Sequence, residues 1–515
     1  MKDHLFFFVL LGILLSGCIQ QEFLIEKQHT EELSDMIVSE KIIAIIDSTL
    51  IQESIKISPD NSHVAYVAKK GNKRCIVLDE IEQKQYKNII YDSLVFSPDS
   101  SRLAYEIEKD DGLFVVIDGI EGNKYQDIGV GSLIFSPDGT RIAYAAQHEG
   151  KWFVVADEQE GKQYDEIGAP IHFSPDSTRI AYATQQGNKL FVVVDGKEDE
   201  KYDSLGTSFI FSPDGMHVAY TARIGTSWFV VVDGKEEMQY DNIRRDSLTF
   251  SPDSTRIAYV AIKGNKQFIV VDKKEETRFD LVGFENLFTP DSKNVTHSAV
   301  DGDRQFVIVN GKEEKRYDGI MDGTPIFSLD SAHIAYAAII GNLRFVVVDG
   351  KEEKYYDGIG DGTIIFSPDS KHLAYIAQEG DAQFIVIDGE EGKKYDGIMK
   401  ELLPEFSPDS QRLVYAAGSG LGYEKQFVII DEKEEKQYNA IGKGTIIFSS
   451  NSNHLAYAAS VGNDHYVVVV DGKEGKKYDL IFENDGKIIF FDSPDNFHFL
   501  ALKGKYIYLV EVELI

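Results

Sequence analysis

Cysteine is almost absent: Cys18 and Cys75 are the only two in 515 residues. Cys18 closes an apolar leader, which leaves Cys75 without a partner in the body, so no disulfide framework is expected. Tryptophan is as scarce, with only Trp152 and Trp228, and both directly precede a strand phenylalanine rather than crowning a loop. A glycan platform would call for more exposed aromatics. Basic residues are outnumbered 53 to 85, for a net charge of -32. That balance repels phosphate backbones and excludes nucleic acid as a partner. The longest uncharged apolar stretch, Leu5 to Leu15, is too short to cross a bilayer. There is no G-x-S-x-G elbow, the 12 histidines lack metal-ligand spacing, and Asp301-Gly302-Asp303 lacks the rest of a calcium loop. No cofactor, metal or catalytic residue is assigned.

What the chain has is repetition. The stretch FSPDSTRIAYATQQGNKLFVVVDGKEDEKYDSLG, Phe173 to Gly206, returns with small edits along nearly the whole chain. Its Ser-Pro-Asp signal begins at Ser58, Ser97, Ser136, Ser174, Ser212, Ser251, Thr289, Ser328, Ser367, Ser407, Ser449 and Ser493. A period of this length marks a solenoid, an array or a propeller. Within each unit, a strand ends in the Ser-Pro-Asp turn, RIAYAA returns as a second strand, and FVVVD is a third. An Asp-Gly hairpin then leads into a charged fourth strand, KEDEKYD. The second and third strands are apolar at consecutive positions, so both of their faces must leave water. About 39 residues cannot bury two apolar faces alone. Four-stranded sheets stacked face to face about an axis satisfy this, and the fold class is an all-β propeller of about twelve four-stranded blades. The second-strand tyrosines are read as packing between blades, the Asp of Ser-Pro-Asp as a turn residue, and Cys75 as a buried core residue.

The repeating FSPDSTRIAYAA and FSPDGTRIAYAA resemble the WD-like repeats of the TolB-like propeller family. The resemblance implies a propeller and says much less about function. The α/β domain that precedes the propeller in TolB has no counterpart here. At the N-terminus, Leu15-Ser16-Gly17-Cys18 resembles the lipobox of prokaryotic lipoproteins. That resemblance implies removal of residues 1–17 as a signal peptide, lipid attachment at Cys18, and a cell-envelope location on a membrane face.

The ends of the chain bear on closure. The last unit lacks a fourth strand, while an unpaired EKIIAIID precedes the first, so the N-terminal segment is expected to complete the final blade. Rings usually hold about 4–8 blades, which favours two tandem six-bladed rings over one large ring. The pattern decays where Lys273 replaces the turn glycine, Thr289 replaces serine, and NVTHSAV replaces RIAYAA. The expected organisation is a signal peptide 1–17, a lipidated tether 18–40, and propellers 41–276 and 277–515.

Variation among the copies collects in the links from fourth strand to next blade, such as DNIRRDSLTF and DGIMKELLPEF, and in the enlarged hairpin GSGLGYEKQ, Gly418 to Gln426. Strand order assigns both loop sets to one end of the blades. Arg244, Arg245, Met399, Lys400, Tyr423 and Lys425 are the candidate partner-binding residues, since binding groups tend to sit on loops held by a rigid scaffold. The expected function is a non-catalytic envelope lipoprotein that docks a protein partner. A glycan-binding or small-ligand propeller is the alternative, and a propeller hydrolase or lyase ranks third.

Overall fold

Residues 28–33, 36–400, 402–420, 423–462, 464–484 and 486–515 are described by the computed structural model. The leader, Cys18 and the first part of the expected tether lie outside them. The protein is a twelve-bladed β-propeller: twelve antiparallel sheets follow one another along the chain, each with four strand positions. A single 3-10 turn, Gln52–Ser54, is the only helical element among the described residues. None of these residues forms a helix long and apolar enough to cross a membrane.

One blade shows how the repeat becomes a sheet. Leu373–Glu379 pairs with Ala382–Ile387, from Ala374 opposite Ile387 to Glu379 opposite Ala382. Glu390–Glu391 then adds the outer, fourth position. The first position is filled by two short pieces, Gly358–Ile359 and Ile365–Phe366, both on Leu373–Glu379. Second and third strands are buried at successive residues while the fourth is exposed, as stacking on both faces requires. Small residues of one sheet, Ala335 and Ala337, meet Tyr375 and Phe384 of the next. The hydroxyl-bearing rings also meet edge to face, as in Tyr240 and Tyr259 at 6.2 Å. Cys75 is fully buried within such a layer.

The Ser-Pro-Asp turn works through its polar atoms. Ser136 Oγ donates to Asp138 Oδ1 at 2.6 Å and accepts from the Arg141 amide at 2.9 Å. The Asp138 amide in turn donates to Ser177 Oγ of the following blade at 3.0 Å. The motif therefore closes its own turn and ties two sheets together.

By contact density the chain falls into two compact units, one of residues up to Glu121 and from Tyr438 onward, the other Gly122–Gln437. In the first unit, Met36–Ile45 runs antiparallel to Tyr506–Leu514, from Met36 opposite Leu514 to Ile45 opposite Tyr506. It takes the missing fourth position of the last blade, and Gln28–Leu33 adds one strand beyond it. Glu40 fixes the junction: its carboxylate accepts from the Tyr478 hydroxyl at 2.8 Å and from Lys476 Nζ at 3.0 Å.

The division expected at residues 276 and 277 is not a break in packing; it falls inside the second unit. Ala258, Val260 and Ile269 on one side pack with Val282, Leu287 and Phe306 on the other. The Asp253 amide donates across it to Ser292 Oγ at 3.0 Å. Each local departure is absorbed: Lys273 adopts φ +68°, Thr289 Oγ1 donates to Asp291 at 2.6 Å as serine does elsewhere, and Thr296–Asp301 forms the second strand. A decayed sequence pattern is therefore compatible with an intact blade.

Candidate functional site

Most individuality among the blades resides in a bulge of the first strand. Between Gly358–Ile359 and Ile365–Phe366 the chain steps away from the second strand and returns. Thr363 Oγ1 donates to Gly360 O at 2.8 Å and accepts from the Ile376 amide at 3.2 Å. The hydroxyl thus replaces the ladder bond that the bulge interrupts. Ser132, Ser247 and Thr445 do the same for the amides of Ala145, Val260 and Ala458. The tips vary more than the path: Val130, Arg245, Asp322, Asp361, Lys400 and Lys443 stand exposed at corresponding positions, and at the Lys400 bulge Leu402 stands in place of the hydroxyl.

This placement narrows the expectation that the links share one end of the blades with the second hairpins: their first residues do, and Arg244, Arg245, Met399 and Lys400 do not. Arg244 and Met399 hydrogen-bond through their amides to Val260 O and Ala416 O at 2.9 Å, halfway along the second strand. Each link starts at the hairpin end, where Asp241 and Asp396 accept from the Gly264 and Gly420 amides at 2.7 and 3.0 Å, and has left that end by the time it reaches Arg244 or Met399. Arg244 is, moreover, a stitch: its guanidinium donates to Val282 O of the next blade at 2.8 Å and covers the Phe284 ring at 4.7 Å. Arg245 and Lys400 are exposed, and Met399 is half-buried.

Tyr423 and Lys425 do lie at the second hairpin. Tyr423 adopts φ +56°, and its ring lies over Gly397 and Gly418, which face one another in the ladder. A β-carbon on either glycine would come within 2.2 or 2.6 Å of that ring, so the glycine pair makes the flat floor on which the tyrosine rests. Lys425 opens the third strand opposite Ser419. The structure therefore separates the six candidates into bulge tips and a hairpin.

The opposite end of each blade carries a stitch that sequence reading missed. Arg141 Nε meets Asp157 Oδ2 at 2.8 Å, and the same guanidinium donates to Ser177 O and Thr178 O of the next blade at 3.2 and 2.7 Å. It also lies 5.1 Å over Phe173. Arg179 and Arg256 repeat the arrangement. In other blades histidine stands in the same place: His63, His217, His333, His372 and His454 each approach the corresponding aspartate at 2.5 to 2.8 Å. The hydrogen bond that its ring makes to Asp79 raises the pKa of His63, and that to Asp349 does likewise for His333. The signal was visible as the alternation of arginine and histidine two residues before the second-strand alanine.

Perturbed acids also occur between blades. Burial pushes Glu237 and Asp199 upward, and each is held by a tyrosine hydroxyl, Tyr259 at 3.1 Å and Tyr220 at 2.9 Å. Each pair bridges a fourth strand and the next blade's second strand, which is a structural role. Among the described residues no group of His, Cys, Asp and Glu is placed to hold a metal ion. One cleft of about 360 Å³ lies beside Trp152, between Val130 and Ile167, with Asp165 and Glu166 at its edge.

No family model and no curated protein matches the chain. Solved structures that resemble it include a eukaryotic initiation factor, at TM-score 0.33 and 13% identity over 66% of this chain and 95% of that one. TolB from Acinetobacter baumannii is similar at TM-score 0.22 and 17% identity, over 43% of this chain and 61% of that one. Likeness at this level concerns the propeller fold alone, which the chain's own sheets establish independently.

Proposed function

We propose that the protein is a non-catalytic cell-envelope scaffold, anchored by lipid at Cys18, that docks another envelope protein through side chains displayed at its first-strand bulges and second hairpins. The supporting observation is the bulge itself: one backbone path, held in several blades by the same hydroxyl bonds, presents exposed tips that vary along the chain, from Val130, 96% exposed, to Arg245 and Lys400. A rigid frame with individual tips suits recognition of one partner, because little ordering entropy is lost on binding. Photocrosslinking in intact cells tests it. A crosslinker at position 245 or 400 should capture a discrete partner, and one at Lys351 in a repeated hairpin should not; capture from Lys351 alone would refute the assignment. The anchor is tested by Cys18→Ser, which should move the protein out of the membrane fraction.

A second reading, a small-ligand or glycan propeller, is favoured by the Trp152 cleft, whose indole and adjoining carboxylates offer a stacking wall beside hydrogen-bond acceptors. Saturable quenching of Trp152 fluorescence by an oligosaccharide, absent in Trp152→Leu, would support it.

A further inference from the structure

Where arginine forms the stitch it fills the groove between two blades; at two of the junctions where histidine stands instead, those of His63 and His372, a cleft is left. Cleft one, about 340 Å³, is lined by His63, Asp79, Phe96, Ser100, Ser101 and Arg102. Cleft two, about 300 Å³, has the counterparts His372, Asp388, Phe406, Ser410, Gln411 and Arg412. Both are at the lower end of the roughly 300–1,000 Å³ of ligand pockets. At the arginine junctions the carbonyls of Ser177 and Thr178, or of Ser292 and Lys293, accept from a guanidinium, and Phe173 or Phe288 lies beneath it at 5.1 or 5.3 Å. In the two clefts the corresponding carbonyls belong to Ser100 and Ser101, and to Ser410 and Gln411, and the corresponding rings are Phe96 and Phe406. The imidazole reaches the aspartate, at 2.5 Å for His63 and 2.7 Å for His372, and that of His372 also stacks loosely on Phe406 with ring centroids 6.4 Å apart; the place of the guanidinium nitrogens beside the two carbonyls is open.

We propose that the His63 and His372 clefts each bind the arginine side chain of a partner polypeptide, in the position that the chain's own arginine occupies at other junctions. The site offers two carbonyl acceptors and an aromatic ring, which together complement a planar fork of donors and not a compact ammonium; the aspartate oxygens are already engaged by the imidazole and by the Val64 or Leu373 amide. The second cleft adds Glu390 and Glu432 at its edge, and the net charge of -32 draws basic segments toward the protein. The occupant is assigned to a polypeptide because the internal model for it is a side chain projecting from a turn. These clefts lie at the first-hairpin end of the blades, so the inference stands apart from the bulge-tip docking proposed above.

Detergent-solubilised full-length protein is titrated with a capped glycine-rich pentapeptide carrying one central arginine. The expected result is saturable binding of two equivalents, weakened about tenfold when lysine replaces arginine. His63→Arg and His372→Arg should each abolish one equivalent while the thermal midpoint holds or rises, because each restores a stitch the protein already uses. Either site decides the matter if the variant at the other does not fold. N-acetylarginine amide serves as the free-guanidinium arm: weaker binding than the peptide supports a polypeptide occupant, and equal binding overturns it in favour of a small guanidinium ligand. Equal affinity for the lysine peptide, or undiminished binding by the double variant, would overturn the site itself.

Discussion

Replacing Thr363 by valine isolates the hydroxyl device that Ser132, Ser247 and Thr445 repeat in other bulges. Thr363 is fully buried, as is Ile376 to within 1%, and valine keeps the side-chain volume while removing the hydroxyl. Two bonds are lost, the 2.8 Å donation to Gly360 O and the 3.2 Å acceptance from the Ile376 amide. A buried amide left without a partner costs about 1–3 kcal/mol. Thr363→Ser keeps the hydroxyl and loses one methyl, worth about 1 kcal/mol of packing. Global unfolding of so many blades need not be two-state, so the appropriate measurement is hydrogen exchange at the Ile376 amide. Valine should accelerate it about 5- to 150-fold, at tenfold per about 1.4 kcal/mol, and serine should leave that amide protected. If exchange in the valine variant matches wild type, the hydroxyl does not substitute for the ladder bond and the account of the bulge fails.

Arg244→Ala should cost about 1–2 kcal/mol in thermal stability, since it frees Val282 O and uncovers Phe284; Arg245→Ala, exposed at the tip, should stay within about 0.5 kcal/mol. The turn carboxylates Asp138, Asp253 and Asp291, hydrogen-bonded first by Ser136, Ser251 and Thr289, titrate at about 2 against an ordinary 3.8. Their folded-state pKa is depressed, so the stability they contribute is present above 3.8 and is lost as the pH falls from there toward 2. The thermal midpoint should drop across that window, and Asp253→Asn should flatten the drop, as the natural Ser449–Asn451 pair at 2.7 Å suggests. Glu40→Ala strips the buried Tyr478 hydroxyl of its acceptor and leaves Lys476 with Glu31 alone at 3.1 Å, at a cost of up to about 3 kcal/mol. Limited proteolysis should then cut first within residues 36–45, and cleavage unchanged from wild type would show that the strand is held by pairing alone.

The sequence by itself determined the repeat, the four strand positions, the double burial of the second and third strands and the turn role of Ser-Pro-Asp, because each depends on contacts within about 39 residues of chain. It also announced the closing strand, since one blade lacked a fourth position and one segment lacked a partner. Tertiary structure alone decided what each residue meets in the neighbouring blade. Arg244 reads as a free loop cation until Val282 O and Phe284 are seen beneath it, and Lys273 and Thr289 read as a domain boundary until Ala258 and Phe306 are found in one core. The position of the link tips was hidden for the same reason. A link of variable composition carries no local sign that a serine or threonine hydroxyl will bond to a strand 13 residues on, at Ala145 or Ile376. Periodicity fixes which residues form strands, but the register between a bulge and its neighbour, and the space left when histidine replaces arginine, are settled only when the sheets are stacked.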